Sequence, residues 1–138
     1  MTIAVLKEAA GETRCAATPE TVKKFAALGA DVAVEKGAGT AASIADSDFE
    51  EAGAKVASRK DVLKGAGIIL CVNGPDPASL AGAEKGALLV GALDPVRQRE
   101  RVDAYAAAGL DALAMEWMPR ITRAQSMDIL SSQSNLAG

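Results

Sequence analysis

The 138 residues are 49% apolar but only 3% aromatic, a length and composition that suit one domain with a core of Ala, Val, Leu and Ile. Fifteen basic against eighteen acidic side chains leave a net charge of −3, which disfavours nucleic acid or an anionic membrane as partner; no apolar stretch approaches the ~20 residues of a membrane span. Histidine is absent, which removes imidazole bases, Ser-His-Asp and Cys-His pairs and every His-ligated metal site.

In chain order, Ile3 to Leu6 predicts a strand beginning almost at the first residue. No basic segment with a cleavage site precedes it, so a cytoplasmic protein is expected. Thr18-Pro19-Glu20 predicts a helix start: a hydroxyl N-cap, proline at the first helical position and an acid at the positive end. Val22, Phe25 and Ala26 follow at helical spacing, and Gly29 marks the stop. Asp31 to Glu35 predicts the next strand. Ser47-Asp48-Phe49-Glu50 reads as a capping box opening a helix that stops near Gly53. Val56 to Ser58 predicts a short strand, Asp61 to Gly65 a turn or two of helix, and Ile68 to Val72 a strand closed by Asn73-Gly74-Pro75. Ala87 to Val90 is another strand. Asp94-Pro95 repeats the N-cap and proline signal for a helix reaching Ala108 and stopping at Gly109. Leu110 to Met115 is the last strand, and Trp117 to Gly138 a loop followed by a helix. Strand and helix alternate throughout, which predicts a three-layer α/β fold: a mostly parallel, twisted sheet with helices on both faces, of flavodoxin or Rossmann type.

Three segments are candidates for chemistry. The loop after the first strand holds Arg14, placed where open α/β sheets bind ligands; it either pairs with a substrate carboxylate or is a solvated loop charge. Gly37-Ala38-Gly39-Thr40-Ala41-Ala42 approximates a dinucleotide fingerprint, but its last glycine is Ala42 and no acid ends a strand about twenty residues on. A tight turn is the better reading, so the chain lacks a Gly-rich fingerprint of its own. The run from Met115 to Asn135 is dense in Arg, Gln, Ser and Asp. Those side chains supply both the donors and the acceptors that a carboxamide such as that of nicotinamide needs. If a helix starts at Ala124 or Ser126, Gln125 lies in its first turn and Asp128 and Ser131 share a face. The alternative is a polar helix start with Met115, Met118 and Met127 filling the core. No pair of acids stands at a spacing that suggests paired-carboxylate hydrolysis. Cys15 and Cys71 read as reduced thiols, and no metal site is expected.

The run Met115-Glu116, Met118-Pro119-Arg120-Ile121, Arg123 through Gly138 closely resembles the proton-translocating NAD(P) transhydrogenases, in the wider alanine dehydrogenase/transhydrogenase N-terminal domain family. Lys7-Glu8, Gly11-Glu12, Arg14, Thr18-Pro19-Glu20 and Glu35 with Gly37-Ala38-Gly39 resemble it too. The resemblance implies that residues 1–138 are the first domain of an NAD(H)-binding alpha subunit, with the NAD-binding domain following residue 138. Arg120 and Ser131 would hold the nicotinamide carboxamide, Gln125 would orient the ring, and Asp128 would fix the loop; Gln125 and Asp128 are the residues nearest the reaction. The implied activity is hydride transfer between NAD(H) and an NADP(H) held on a partner domain, coupled to proton translocation. The implied partners are NADP(H)-binding and membrane-spanning domains or subunits and a second copy in a homodimer. The place implied is the cytoplasmic side of the inner membrane, without insertion into it. The isolated segment would be inactive. In the alanine dehydrogenases a Lys after the fourth strand and a His after the fifth act on an oxo acid. Here Asn73 stands at or near the Lys position and there is no His, which argues against an amino-acid dehydrogenase. Two rivals remain: that dehydrogenase reading, and a non-catalytic binding or assembly domain of the same fold.

Overall fold

The computed structural model describes residues 1–119 and 121–138, the side chains of 131, 132 and 135 excepted. Six strands form one sheet: β1 (Thr2–Val5), β2 (Asp31–Glu35), β3 (Lys55–Ala57), β4 (Ala66–Asn73), β5 (Leu88–Ala92) and β6 (Asp111–Ala114). Their spatial order is β3-β2-β1-β4-β5-β6, and all five pairings are parallel. The sequence reading of a mostly parallel sheet with helices on both faces therefore holds. The order reverses between β1 and β4, so the loops leaving these neighbouring strands part and open a crevice at their carboxyl ends.

Two cores sandwich the sheet. On one face Ala4, Leu6, Ala33, Ile69 and Leu89 meet Val62 and Leu63 of α3 (Arg59–Leu63) and Tyr105 of α4 (Arg99–Ala107). On the other, Val5, Val32 and Val34 meet Val22 of α1 (Pro19–Ala27) and Phe49 of α2 (Asp46–Glu51). That second core is centred on the β1-β2-β3 half and reaches Leu70 of β4 at its margin. On the β4-β5 half, Leu70, Val72 and Val90 stay partly exposed. Across from them stands α5 (Ile129–Ala137), which among the described residues touches the turns preceding it more than any strand.

Local signals placed most element ends. The Thr18 hydroxyl accepts the Thr21 amide as the N-cap of α1, and Gly29, at φ 86°, follows its end in the left-handed region open to glycine. Four helix starts differ from expectation. α3 begins at Arg59, two residues before Asp61, with Ser58 as its N-cap, and α5 begins at Ile129. α2 begins at Asp46, before Ser47, and Asp48 supplies the returning carboxylate, accepting the Ala45 amide at 3.0 Å. α4 begins at Arg99, not after Asp94. Asp94 sits at φ 47°, and an N-cap needs extended backbone. Its amide and that of Leu93 are taken by Glu116, so Pro95 lies in a turn.

Candidate functional site

The carboxyl edge of the sheet is bound together by glutamates that reach from one strand end to the next. Glu8, just past β1, accepts the Val72 amide at 2.6 Å and the Asn73 amide at 3.1 Å at the end of β4. Glu35, ending β2, accepts the Lys7 amide at 2.7 Å and pairs with Arg59 at 2.9 Å. Arg59 continues to the Ser79 hydroxyl and the Lys7 carbonyl. Glu116, in the 3₁₀ turn Met115–Trp117, accepts the Leu93 and Asp94 amides at 3.1 and 3.0 Å past β5. Strand ends are where parallel sheets run out of backbone partners, and each carboxylate offers the lone pairs for two amides at once. The crevice is thereby rigid, and its acids are engaged as acceptors.

Arg14 lies in this crevice, half-exposed to solvent, with its guanidinium already engaged by a carboxylate of its own loop. Its guanidinium clasps Glu12 through two bonds, Nε to Oε1 and Nη2 to Oε2, each 2.8 Å, and its amide adds a third at 2.9 Å. The Asn73 side chain donates to the same carboxylate at 2.7 Å. The side-chain and backbone hydrogen bonds from Arg14 hold the Glu12 carboxyl down to about 2, below its usual 4.5. A depressed carboxylate stabilises the fold above its unfolded pKa, and that contribution is lost as pH falls through the folded value. The Glu12–Arg14 contribution should therefore be intact above about pH 4.5 and fade toward pH 2. A carboxyl-carbon NMR titration is expected to place the Glu12 midpoint near the lower value; a midpoint near 4.5 would mean that the clasp does not form in solution.

Beside the clasp a cleft of about 910 Å³ opens between the uncovered sheet half and α5. Its floor is Leu70, Val72 and Val90, and its far wall is Ile129, Leu130 and Leu136. Asp128 lies on its rim, is the N-cap of α5, and accepts the Leu130 amide at 3.0 Å. Gln125 is exposed in the 3₁₀ segment Thr122–Met127. The helix thus starts later than Ala124 or Ser126, and Gln125 precedes it instead of lying in its first turn. Met115 and Met118 are partly buried and line the cleft, and Met127 is exposed, so none of the three is among the buried core residues that the alternative made them. Ser131 belongs to the first turn of α5 by its backbone; its side chain, like the whole of Arg120, lies outside the described residues.

The glycine segment is a turn, as expected. Ala38 donates to the Glu35 carbonyl, and the Gly37 amide is capped by Asp46 at 2.9 Å. Both cysteines are free thiols, and both border the cleft. Burial raises both, Cys71 to about 12. Among the described residues no group of acids and thiols is placed to hold a metal ion, and no helix is long and apolar enough to cross a membrane. Sequence reasoning missed Glu8, Glu35 and Glu116 as the builders of the edge, and Gln133, which reaches Arg14. The available signal was a glutamate at or just past the end of three separate strands.

Residues 4–137 match the family model described as "Alanine dehydrogenase/PNT, N-terminal domain". An NAD(P) transhydrogenase alpha-subunit protein of Rhodospirillum rubrum, the first part of a divided subunit, is 47% identical over 145 residues, covering all of this chain and 38% of that protein. A crystal structure of transhydrogenase from Sinorhizobium meliloti superposes with a TM-score of 0.94 at 46% identity, over 99% of this chain and 41% of that one. An L-alanine dehydrogenase structure reaches 0.81 at 31% identity, over 91% and 35%. The chain therefore spans about two fifths of these transhydrogenase proteins. With the six-stranded parallel sheet and a match running nearly end to end, the chain belongs to the alanine dehydrogenase/PNT N-terminal domain family.

Proposed function

We propose that this chain is the N-terminal domain of the NAD(H)-binding alpha subunit of a proton-translocating NAD(P) transhydrogenase, and that its 115–131 segment contacts the nicotinamide of NAD(H). The observation that carries this reading is the state of the carboxylates at the crevice. Glu8 and Glu116 cap backbone amides, and Glu12 is held by Arg14 and Asn73. No acid–base pair stands ready among the described residues, which suits a reaction in which hydride passes between two nicotinamide rings and the protein supplies position. The donor set fits the ring's carboxamide. The exposed Gln125 offers both donor and acceptor, and Asp128 offers carboxylate oxygens on the rim. Gln125 sets ring orientation, Asp128 fixes the loop against the start of α5, and the apolar floor of Leu70, Val72 and Val90 keeps water from the ring's face. Arg120 and Ser131 complete the set by motif position.

A second domain of the subunit holds most of the nucleotide, and NADP(H) sits on a partner domain. The subunit works as a homodimer docked on membrane-spanning partners at the cytoplasmic side of the inner membrane, and the isolated segment does not turn over. The alternative of an alanine-dehydrogenase-like enzyme draws on the 31% identical structure. Asn73 and the absence of histidine stand against it, as does an Arg14 that already holds a carboxylate.

The test is hydride transfer from NADH to an NADP⁺ analogue in the full subunit assembled with its partners. Gln125→Asn and Asp128→Asn are each expected to slow transfer by about 10- to 100-fold, the cost of misplacing a reacting ring by roughly an ångström. Rates within twofold of the parent in both variants would remove the segment from the reaction. Oxo-acid-dependent oxidation of NADH by the same preparation would favour the dehydrogenase reading instead.

A further inference from the structure

Helix α5 carries Asp128 at its head, yet among the described residues it touches the turns before it more than the sheet. Among the described residues a side-chain hydrogen bond reaches it from the crevice: Arg14 Nη1 donates to Gln133 Oε1 at 3.4 Å, joining residues 119 apart. The arginine making that bond is itself fixed. Glu12 takes the Nε–Nη2 edge of its guanidinium, and Asn73 anchors Glu12. The Asn73 backbone is in turn held by Glu8. The next two carbonyls, of Gly74 and Pro75, accept from Arg101 and from the buried Tyr105 of α4. A continuous series of bonds thus runs from α4, through the end of β4, to Arg14.

We propose that Arg14 is a positioning residue that fixes α5 over the crevice through Gln133, and so sets where Asp128 and Gln125 stand against the nicotinamide. This inference rests on the function proposed above. The planar guanidinium is suited to it, because two N–H groups on one edge bind a carboxylate while a further N–H points elsewhere, a geometry that a lysine ammonium does not reproduce.

The test compares Arg14→Ala, Arg14→Lys, Gln133→Ala and the Arg14→Ala/Gln133→Ala pair in the assembled full subunit. Arg14→Ala is expected to lower the hydride-transfer kcat about tenfold while KM for NADH stays within about threefold, since only placement in the reacting complex is lost. Arg14→Lys should not rescue the rate. Gln133→Ala, an exposed helix position, should lower kcat in the same sense without threatening the fold, and the double variant should be no slower than Arg14→Ala alone. Three results would overturn the inference: full rescue by lysine, additive losses in the double variant, or a tenfold rise in KM with kcat unchanged, which would mark direct nucleotide binding by Arg14. If Gln125→Asn and Asp128→Asn slow transfer while Arg14→Ala and Gln133→Ala do not, this inference fails alone. If none of the four has an effect, the underlying function fails with it.

Discussion

Gly91→Ala is expected to lower the melting temperature by about 10 °C, from a stability loss of about 3 kcal/mol. Gly91 is buried within β5, pairing with Ala114 of β6. A Cβ there would stand 2.5 Å from Cys71 Sγ and 2.7 Å from the Cys71 carbonyl oxygen on the neighbouring strand. The sulfur can turn away, but the carbonyl belongs to the sheet and moves only if β4 moves. Removing the thiol with Cys71→Ala should therefore recover only part of the loss in the double variant. Thermal unfolding of the four proteins in this cycle checks both statements. Full recovery would mean that the strands part easily and that the thiol alone sets the spacing.

Phe49→Ala should cost about 3–5 kcal/mol, the usual range for deleting a buried ring. Phe49 is fully buried where α2 meets the sheet, packed with Val5, Val22 and Val34. The chain has only two phenylalanines, one tyrosine and one tryptophan, and the other phenylalanine, Phe25 of α1, is already packed against the same core. Those valines are β-branched, stiff at their first side-chain torsion, and repack poorly. Gly39 lies so close that a Cβ there would come within 2.7 Å of the ring. Urea denaturation reads the loss directly; Glu51→Ala, on the exposed side of the same helix, should stay within about 0.5 kcal/mol of the parent. A Phe49 loss below about 1 kcal/mol would mean that the glycine turn collapses inward to heal the cavity.

What the sequence made legible follows the range of the forces involved. Thr18-Pro19-Glu20 and Asp31 to Glu35 could be read because a cap bond spans three residues and a buried strand shows as a run of apolar side chains. Asp94-Pro95 carries the same local signal as Thr18-Pro19, and there it misled. The backbone at Asp94 answers to Glu116, 22 residues on, and no local pattern records that bond. The site divides in the same way. Gln125 and Asp128 stood out through the density of polar side chains around them. The glutamates that make the crevice rigid did not, since each acts across 22 to 65 residues. Arg14 was visible as a charge in the right loop, but the carboxylate filling its fork lay two residues away and offered no periodicity to notice.

The sheet order also bears on how the chain is born. β1 is made first yet lies at the centre, and its partner β4 begins at Ala66. Residues through β3 can assemble one layer during synthesis, with Val5, Val22, Val34 and Phe49 sealing it. The reverse side of that layer, with Ala4, Leu6 and Ala33, has nothing to meet until Val62, Leu63 and Ile69 leave the ribosome. At ~5–20 residues per second that interval lasts on the order of one second. A nascent chain stalled near β3 would show one protected face and one sticky one, and a chaperone that reads apolar surface would find its target on the side that later faces α3 and α4.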